Sequence, residues 1–193
     1  MNFNDQGFAD KLTSLLSGLP IIILLVIASP FNVAMAQTIS LGSTGVYGDD
    51  IDAFGINIRG YYNSSNHRWC FGPELTVFDK SETIAGENVN LSLVEYNANG
   101  HYVFEVTEKL GLNAIAGINY SVEKERDGDH GNELLKEESA WGLLTGVGFH
   151  YFLHHRFVMI GEYDHLFSDL RQNTFTLGLL YTIPVGKKKG HHE

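Results

Sequence analysis

From Leu110 to Val122 the chain alternates without a break. Leu110, Leu112, Ala114, Ala116, Ile118, Tyr120 and Val122 take every second position, with Gly111, Asn113, Ile115, Gly117, Asn119 and Ser121 between them. Period-two alternation predicts a strand with one apolar and one mostly polar face. Strands of soluble sheets are commonly about five or six residues long. A tilted strand crossing a bilayer needs roughly nine to eleven. The second face is also small, as the inside of a narrow closed barrel requires.

The same pattern predicts seven further strands. Thr38–Tyr47 is blurred by Gly42 and Gly45. Ala53–Tyr62 sets Phe54, Ile56, Ile58, Gly60 and Tyr62 against Gly55, Asn57, Arg59 and Tyr61. Arg68–Phe78 carries Pro73, which cannot donate to a ladder, so a bulge is expected there. In Ser92–Phe104, Leu91 and Leu93 lie out of phase with Val94 and Tyr96, so a slip is expected near Leu93. Trp141–Leu153, Arg156–Phe167 and Asn173–Val185 complete the set. Asp79–Asn90 and the acidic stretch Glu123–Ser139 read as loops. The second, fourth and sixth connections are compact turns, whereas the third and fifth are long and polar. Outer-membrane barrels have that asymmetry.

The first 36 residues depart from the pattern. Leu19–Ala28 is a compact apolar core, followed by Pro30 and the small pair Ala34 and Ala36. Residues 1–36 are therefore expected to be a signal peptide cleaved after Ala36, with a barrel over 37–186 and a basic tail over 187–193. No later stretch approaches the roughly 18 apolar residues of a transmembrane helix. The formal charge of −10 makes nucleic acid an unsuitable partner. Cys70 is the single cysteine, so no internal disulfide and no cysteine-based metal site can form.

These features together resemble the small eight-stranded outer-membrane barrels, the OmpX-like and OmpA-like transmembrane domains. The likeness rests on the AMA-Q leader end, the even strand number and the alternation. It also rests on aromatics near the turns, such as Tyr61, Tyr62, Tyr102, Phe104, Tyr151 and Phe152. It implies an all-β, closed, antiparallel, up-and-down barrel in a bacterial outer membrane. The implied protein is a monomer in contact with outer-membrane lipid, inserted by the barrel-assembly machinery, with no cofactor. The last strand departs from the family habit of ending in an aromatic residue, since it reads Tyr181-Thr182-Ile183-Pro184-Val185-Gly186.

The alternation points Arg59, Glu74, Glu95, His101, Glu162 and Asp164 inward. Buried charges require partners, so a polar plug around Arg59 is expected, with at least one of Glu74, Glu95 and Glu162 joined to it. An acid/base pair among these carboxylates is the weaker reading. His150, His154 and His155 do not have a spacing that converges along a strand and turn. The stretch from Asp127 to Glu133 offers oxygen ligands without the full calcium-loop spacing. No His-x-Ser pair of a lipid-modifying barrel enzyme occurs, and His165 and Ser168 are three apart. The expectation is a non-enzymatic barrel, plugged by side chains, that acts structurally or at the surface through its loops. A lipid-modifying barrel enzyme and a soluble lipocalin-like binding barrel are the alternatives.

Overall fold

The computed structural model describes residues 36–64, 66, 68–84, 87–128 and 133–185. Most of the expected signal peptide, the centre of the Asp127–Glu133 stretch and the basic tail 187–193 lie outside the described residues. Eight strands follow in order: β1 (Ala36–Gly48), β2 (Ala53–Ser64), β3 (Trp69–Ile84), β4 (Glu87–Glu105), β5 (Leu110–Asp127), β6 (Leu134–His154), β7 (Phe157–Phe167) and β8 (Gln172–Pro184). Each pairs antiparallel with its sequence neighbour. β1 also pairs with β8, Ile39 opposite Ile183 and Tyr47 opposite Phe175, which closes the barrel. Closure leaves no unpaired edge inside a bilayer, where an unpaired edge would be costly.

Short polar groups set the turns. Thr107 Oγ1 accepts from the Leu110 and Lys109 amides at 3.0 and 3.2 Å. Asn66 Oδ1 accepts from the Arg68 amide at 3.1 Å. Asp52 takes a left-handed conformation, φ 50°, and accepts from the Tyr47 hydroxyl at 2.8 Å. Asp tolerates that region through such local hydrogen bonds.

The outer wall is apolar. Phe54, Ile56, Ile58, Trp141, Leu143, Val147 and Leu177 are all strongly exposed, Phe54 at 80%. Aromatic groups ring both ends of this wall. Trp69, Phe71, Tyr102 and Phe104 cluster near the compact turns, and Tyr47 with Phe54, Tyr120 with Trp141 and Tyr163 with Phe175 meet near the other end. A lipocalin-like barrel would bury its apolar face instead, so this wall rules it out. Tyr61 is not part of a ring of aromatics. It points into the lumen and is 4% exposed.

Three expectations are corrected. Asp79–Asn90 and Glu123–Ser139 are mostly strand, since β3 and β4 pair out to Ile84–Glu87 and β5 and β6 pair through Arg126–Leu134. Their period-two signal is lost because both faces meet water above the membrane. The result is a four-stranded sheet, β3 to β6, that projects beyond its neighbours. β2 pairs with β3 only up to Phe78, and β7 pairs with β6 only from Leu143. At Pro73 the β2–β3 ladder is interrupted between the pairs Arg59–Glu74 and Tyr62–Phe71, but both keep one register, so the expected bulge does not insert a residue. Gly72 lies so near the Gly60 carbonyl that a Cβ there would collide with it. β4 does not slip at Leu93 either, because its ladders to β3 and β5 run unbroken.

Leu93 instead belongs to an apolar layer inside the barrel, with Val46, Ile51, Ala53 and Phe78, and with Leu91 packed on it. A second inner layer, Tyr61, Val158, Ile160 and Leu180, with Cys70 against it, lies toward the compact turns. The interior is thus polar at mid-height and apolar above and below.

Candidate functional site

Alternation places the polar residues of the lumen, and antiparallel register sets their heights. Arg59 of β2 sits directly opposite Glu74 of β3. Glu162 reaches Arg59 from β7, across the lumen. The Arg59 side chain is 1% exposed. Its Nη2 lies 3.2 Å from Glu74 Oε2, and its Nη1 donates to Glu162 Oε2. Nε donates to Asn57 Oδ1 at 2.7 Å and Nη1 to the Tyr61 hydroxyl at 3.2 Å. A guanidinium with five donors in a fixed fork suits such a junction, because it can bind two carboxylates at once.

The carboxylates are held in turn. Glu74 Oε1 accepts from the Tyr61 hydroxyl and from Asn99 Nδ2, the latter at 2.9 Å. Glu74 Oε2 accepts from Asn57 Nδ2 at 3.1 Å. His101 lies between the two acids, Nε2 3.8 Å from Glu74 and Nδ1 3.6 Å from Glu162, edge-on to the Tyr61 ring. A second chain runs through Ser121, Asn119 and Asn97, with both hydrogen bonds at 2.7 Å.

Glu95 and Asp164 point inward beside the junction but form no ion pair with Arg59. Neither lies within ion-pair distance of a base among the described residues. They line a cavity of about 10 Å³ together with Asn57, Arg59 and Glu74 of the junction and with Asn97, Gln172, Thr174 and Thr176. That is about the room of one water, and nothing there could admit a lipid or a sugar. Asp164 fits because Gly146 on β6 has no Cβ to occupy its place. Tyr61 and Asn57 complete the junction. Their place on the Arg59 face is visible in the alternation, but their contacts are not.

The outer end is polar and acidic. In the loop at residues 49–52, Asp49 accepts from the Asn173 amide at 2.9 Å and from Asn173 Nδ2 at 2.6 Å, which ties this loop to β8. Desolvation works to raise the Asp49 pKa, but the Asn173 hydrogen bonds outweigh it and hold the pKa below the ordinary value. The Asp50 pKa is raised, by desolvation and by the charge on Asp49. Gln172 Oε1 accepts from the Ile51 amide at 3.2 Å and pins the same loop. On the projecting sheet Lys80 pairs with Glu82, Lys124 with Glu137 and Lys136 with Glu138, at 3.0 to 3.2 Å. Exposed pairs of this kind contribute little each. His165 Nδ1 is bonded to Asn173 Oδ1 and Ser168 Oγ accepts from the Leu170 amide, so the two do not form a catalytic pair.

At the opposite end His154 Nε2 and His155 Nδ1 are hydrogen-bonded to each other at 3.0 Å. His150 does not join them. Its Nδ1 is bonded to Asn113 Oδ1 at 3.1 Å.

The sequence pattern of the outer membrane protein beta-barrel domain matches residues 27–182. Among solved structures, a major outer membrane protein from Thermus thermophilus is similar at TM-score 0.61 and 11% identity, over 76% of this chain and 99% of that one. OprG from Pseudomonas aeruginosa is similar at TM-score 0.57 and 12% identity, over 79% and 98%. Ail, the attachment invasion locus protein of Yersinia pestis, is similar at TM-score 0.56 and 18% identity, over 77% and 99%. Ail has also been solved in complex with the heparin analogue sucrose octasulfate. At these identities the likeness is one of fold. No curated protein matches the chain in sequence.

Proposed function

The chain belongs to the outer membrane protein beta-barrel domain family and resides in the bacterial outer membrane, and from that premise we propose that it is a non-enzymatic, side-chain-plugged barrel acting through its outer loops. The observation that carries this reading is the Arg59 junction. One guanidinium joins acids from β3 and β7 across the lumen, between two apolar layers. Eight strands enclose only enough room for side chains. With the lumen filled, the surfaces left for recognition are the projecting β3–β6 sheet and the neighbouring loops. The barrel works as a monomer whose outer wall contacts only lipid. It is exported by the expected signal peptide and inserted by the barrel-assembly machinery.

The chemistry of the outer end limits the partner. Sucrose octasulfate is strongly anionic, whereas this outer end carries Asp49, Asp50, Asp52, Glu82, Glu87, Glu125 and Glu138 against Lys80, Lys124, Lys136 and Arg171. A polyanionic ligand is therefore disfavoured here. The test is a strain in which residues 124–137 are replaced by a short turn. Loss of surface adhesion or partner binding, with unchanged barrel assembly and envelope permeability, supports the reading. Altered lipid A acylation on deletion of the whole protein would replace it with the enzymatic alternative.

A further inference from the structure

The three compact turns are built alike where the chain enters each ascending strand. Arg68, Lys109 and Arg156 immediately precede the first residues of β3, β5 and β7, and all three are exposed. Each is fixed through its backbone carbonyl, which accepts from an amide of the next strand. Val103 donates to Arg68 at 2.8 Å, Phe152 to Lys109 at 2.9 Å and Thr182 to Arg156 at 2.8 Å. The residue after each base then pairs with a tyrosine of that strand: Trp69 with Tyr102, Leu110 with Tyr151 and Phe157 with Tyr181. In one copy the base also meets its tyrosine. Arg156 Nη1 donates to the Tyr181 hydroxyl at 3.0 Å, which holds the guanidinium at the rim of the outer wall.

The charges of these bases are unmet within the barrel. Among the described residues none of the three pairs with an acid, although Glu105 and Glu108 are exposed at the same end. The bases of the projecting sheet differ, because Lys80, Lys124 and Lys136 are each paired with a glutamate. Compact turns of outer-membrane barrels face the periplasm. The unpaired bases therefore stand where the wall meets the headgroups of the inner leaflet. Tyrosines at that height place an apolar ring among acyl chains and a hydroxyl among headgroups.

We propose that this periplasmic rim binds the headgroups of an anionic glycerophospholipid of the phosphatidylglycerol type, at three sites that each combine one base with the tyrosine of the next strand. This rests on the proposed contact of the outer wall with lipid and adds a headgroup preference to it. The guanidinium or ammonium attracts the phosphate, and the tyrosine hydroxyl offers a further donor. The acyl chains lie along Trp69, Leu110 or Phe157. A zwitterionic headgroup is the poorer ligand, because it brings a cation of its own to a basic rim. The outer end, where acids prevail and the lysines are paired, makes no such selection.

The sequence also carries Lys187, Lys188 and Lys189 beyond β8. All three are changed to Gln in every protein tested, so that the tail contributes nothing. The chain is folded into vesicles of phosphatidylcholine and phosphatidylglycerol, with one or the other lipid brominated on its acyl chains to quench nearby tryptophan. The vesicles are kept at low salt and about pH 8, above the ordinary histidine range. Trp141→Phe leaves Trp69 as the reporter beside Arg68. Phe157→Trp, with Trp69→Phe and Trp141→Phe, reports beside Arg156. Trp69→Phe alone leaves Trp141 at the outer end as the control. Phosphatidylglycerol is expected to be enriched about two- to fivefold at both rim reporters, the scale of one base attracting an anionic headgroup, and not at Trp141. Arg68→Gln with Lys109→Gln should abolish the enrichment at Trp69, and Arg156→Gln that at position 157. Heat-modifiability on gels verifies that every variant is folded. Equal quenching by the two lipids at the rim, or enrichment that survives loss of the bases, would overturn the headgroup sites and leave the lipid-facing wall standing. No quenching by either lipid would overturn the wall, and the sites with it.

Discussion

Replacing Arg59 with Met removes the guanidinium at the centre of the lumen and keeps most of the volume. Glu74 and Glu162 then lose their shared guanidinium, and Asn57 Oδ1 and the Tyr61 hydroxyl lose a donor. The two acids are 5% and 2% exposed, so water cannot replace the lost partner. Breaking a buried ion pair by removing one partner costs about 3–5 kcal/mol. With a urea dependence of about 2 kcal/mol per molar, the unfolding midpoint should fall by about 1.5–2.5 M. The assay is urea unfolding of the barrel in lipid vesicles, followed by tryptophan fluorescence. Adding Glu74→Gln and Glu162→Gln removes the stranded charges and should recover at least half of the loss. A single Arg59→Met variant within about 0.5 kcal/mol of the parent would refute the assigned junction, because that is the scale of a surface substitution.

Phe78 is fully buried in the outer apolar layer, so Phe78→Ala is expected to cost about 3–5 kcal/mol in the same titration. Ile58 faces lipid, and Ile58→Lys is expected to cost about 2–4 kcal/mol if it lies near the bilayer midplane, whereas a surface open to water would tolerate it. Gly72→Ala forces a Cβ into the Gly60 carbonyl and should lower stability by about 1–3 kcal/mol, read as a lower temperature for the gel-mobility shift. The Asp49–Asn173 clasp depends on pH. The folded pKa of Asp49 is lowered, so the clasp is complete above the ordinary carboxylate range and is lost as pH falls through the folded value. Amide exchange at Asn173, corrected for the intrinsic pH dependence, should lose its protection at low pH, and Asp49→Asn should flatten that dependence.

Burial contrast decided how much of this was legible. Within the membrane one face meets lipid and the other a polar lumen, so the alternation of β2 and β5 reads directly and assigns Arg59, Asn57 and Asn119 to the inside. Above the membrane both faces meet water. The contrast then vanishes, and the ends of β3, β4, β5 and β6 read as loops. Leu91 and Leu93 mislead for a related reason. They lie on the inner face, but at a height where that face is apolar, and so they imitate a slip. Alternation also says nothing of height or angle within the lumen. Arg59, Glu74, Glu95, Glu162 and Asp164 read as one set; Glu74 and Glu162 pair with Arg59, whereas Glu95 and Asp164 share with Arg59 and Glu74 the lining of one small cavity without an ion pair of their own. The hydrogen bond between His154 and His155 depends on a turn whose side-chain directions no strand period describes.

The filled lumen is tested most directly by conductance. Purified wild-type protein, verified as folded by its gel-mobility shift, is inserted into planar bilayers and recorded at steady voltage. A lumen joined by Arg59, Glu74 and Glu162 and capped by Phe78 and Leu93 on one side and Val158 and Ile160 on the other should give no lasting open level. Stable conductance of the size seen with porins of roughly sixteen strands would contradict it.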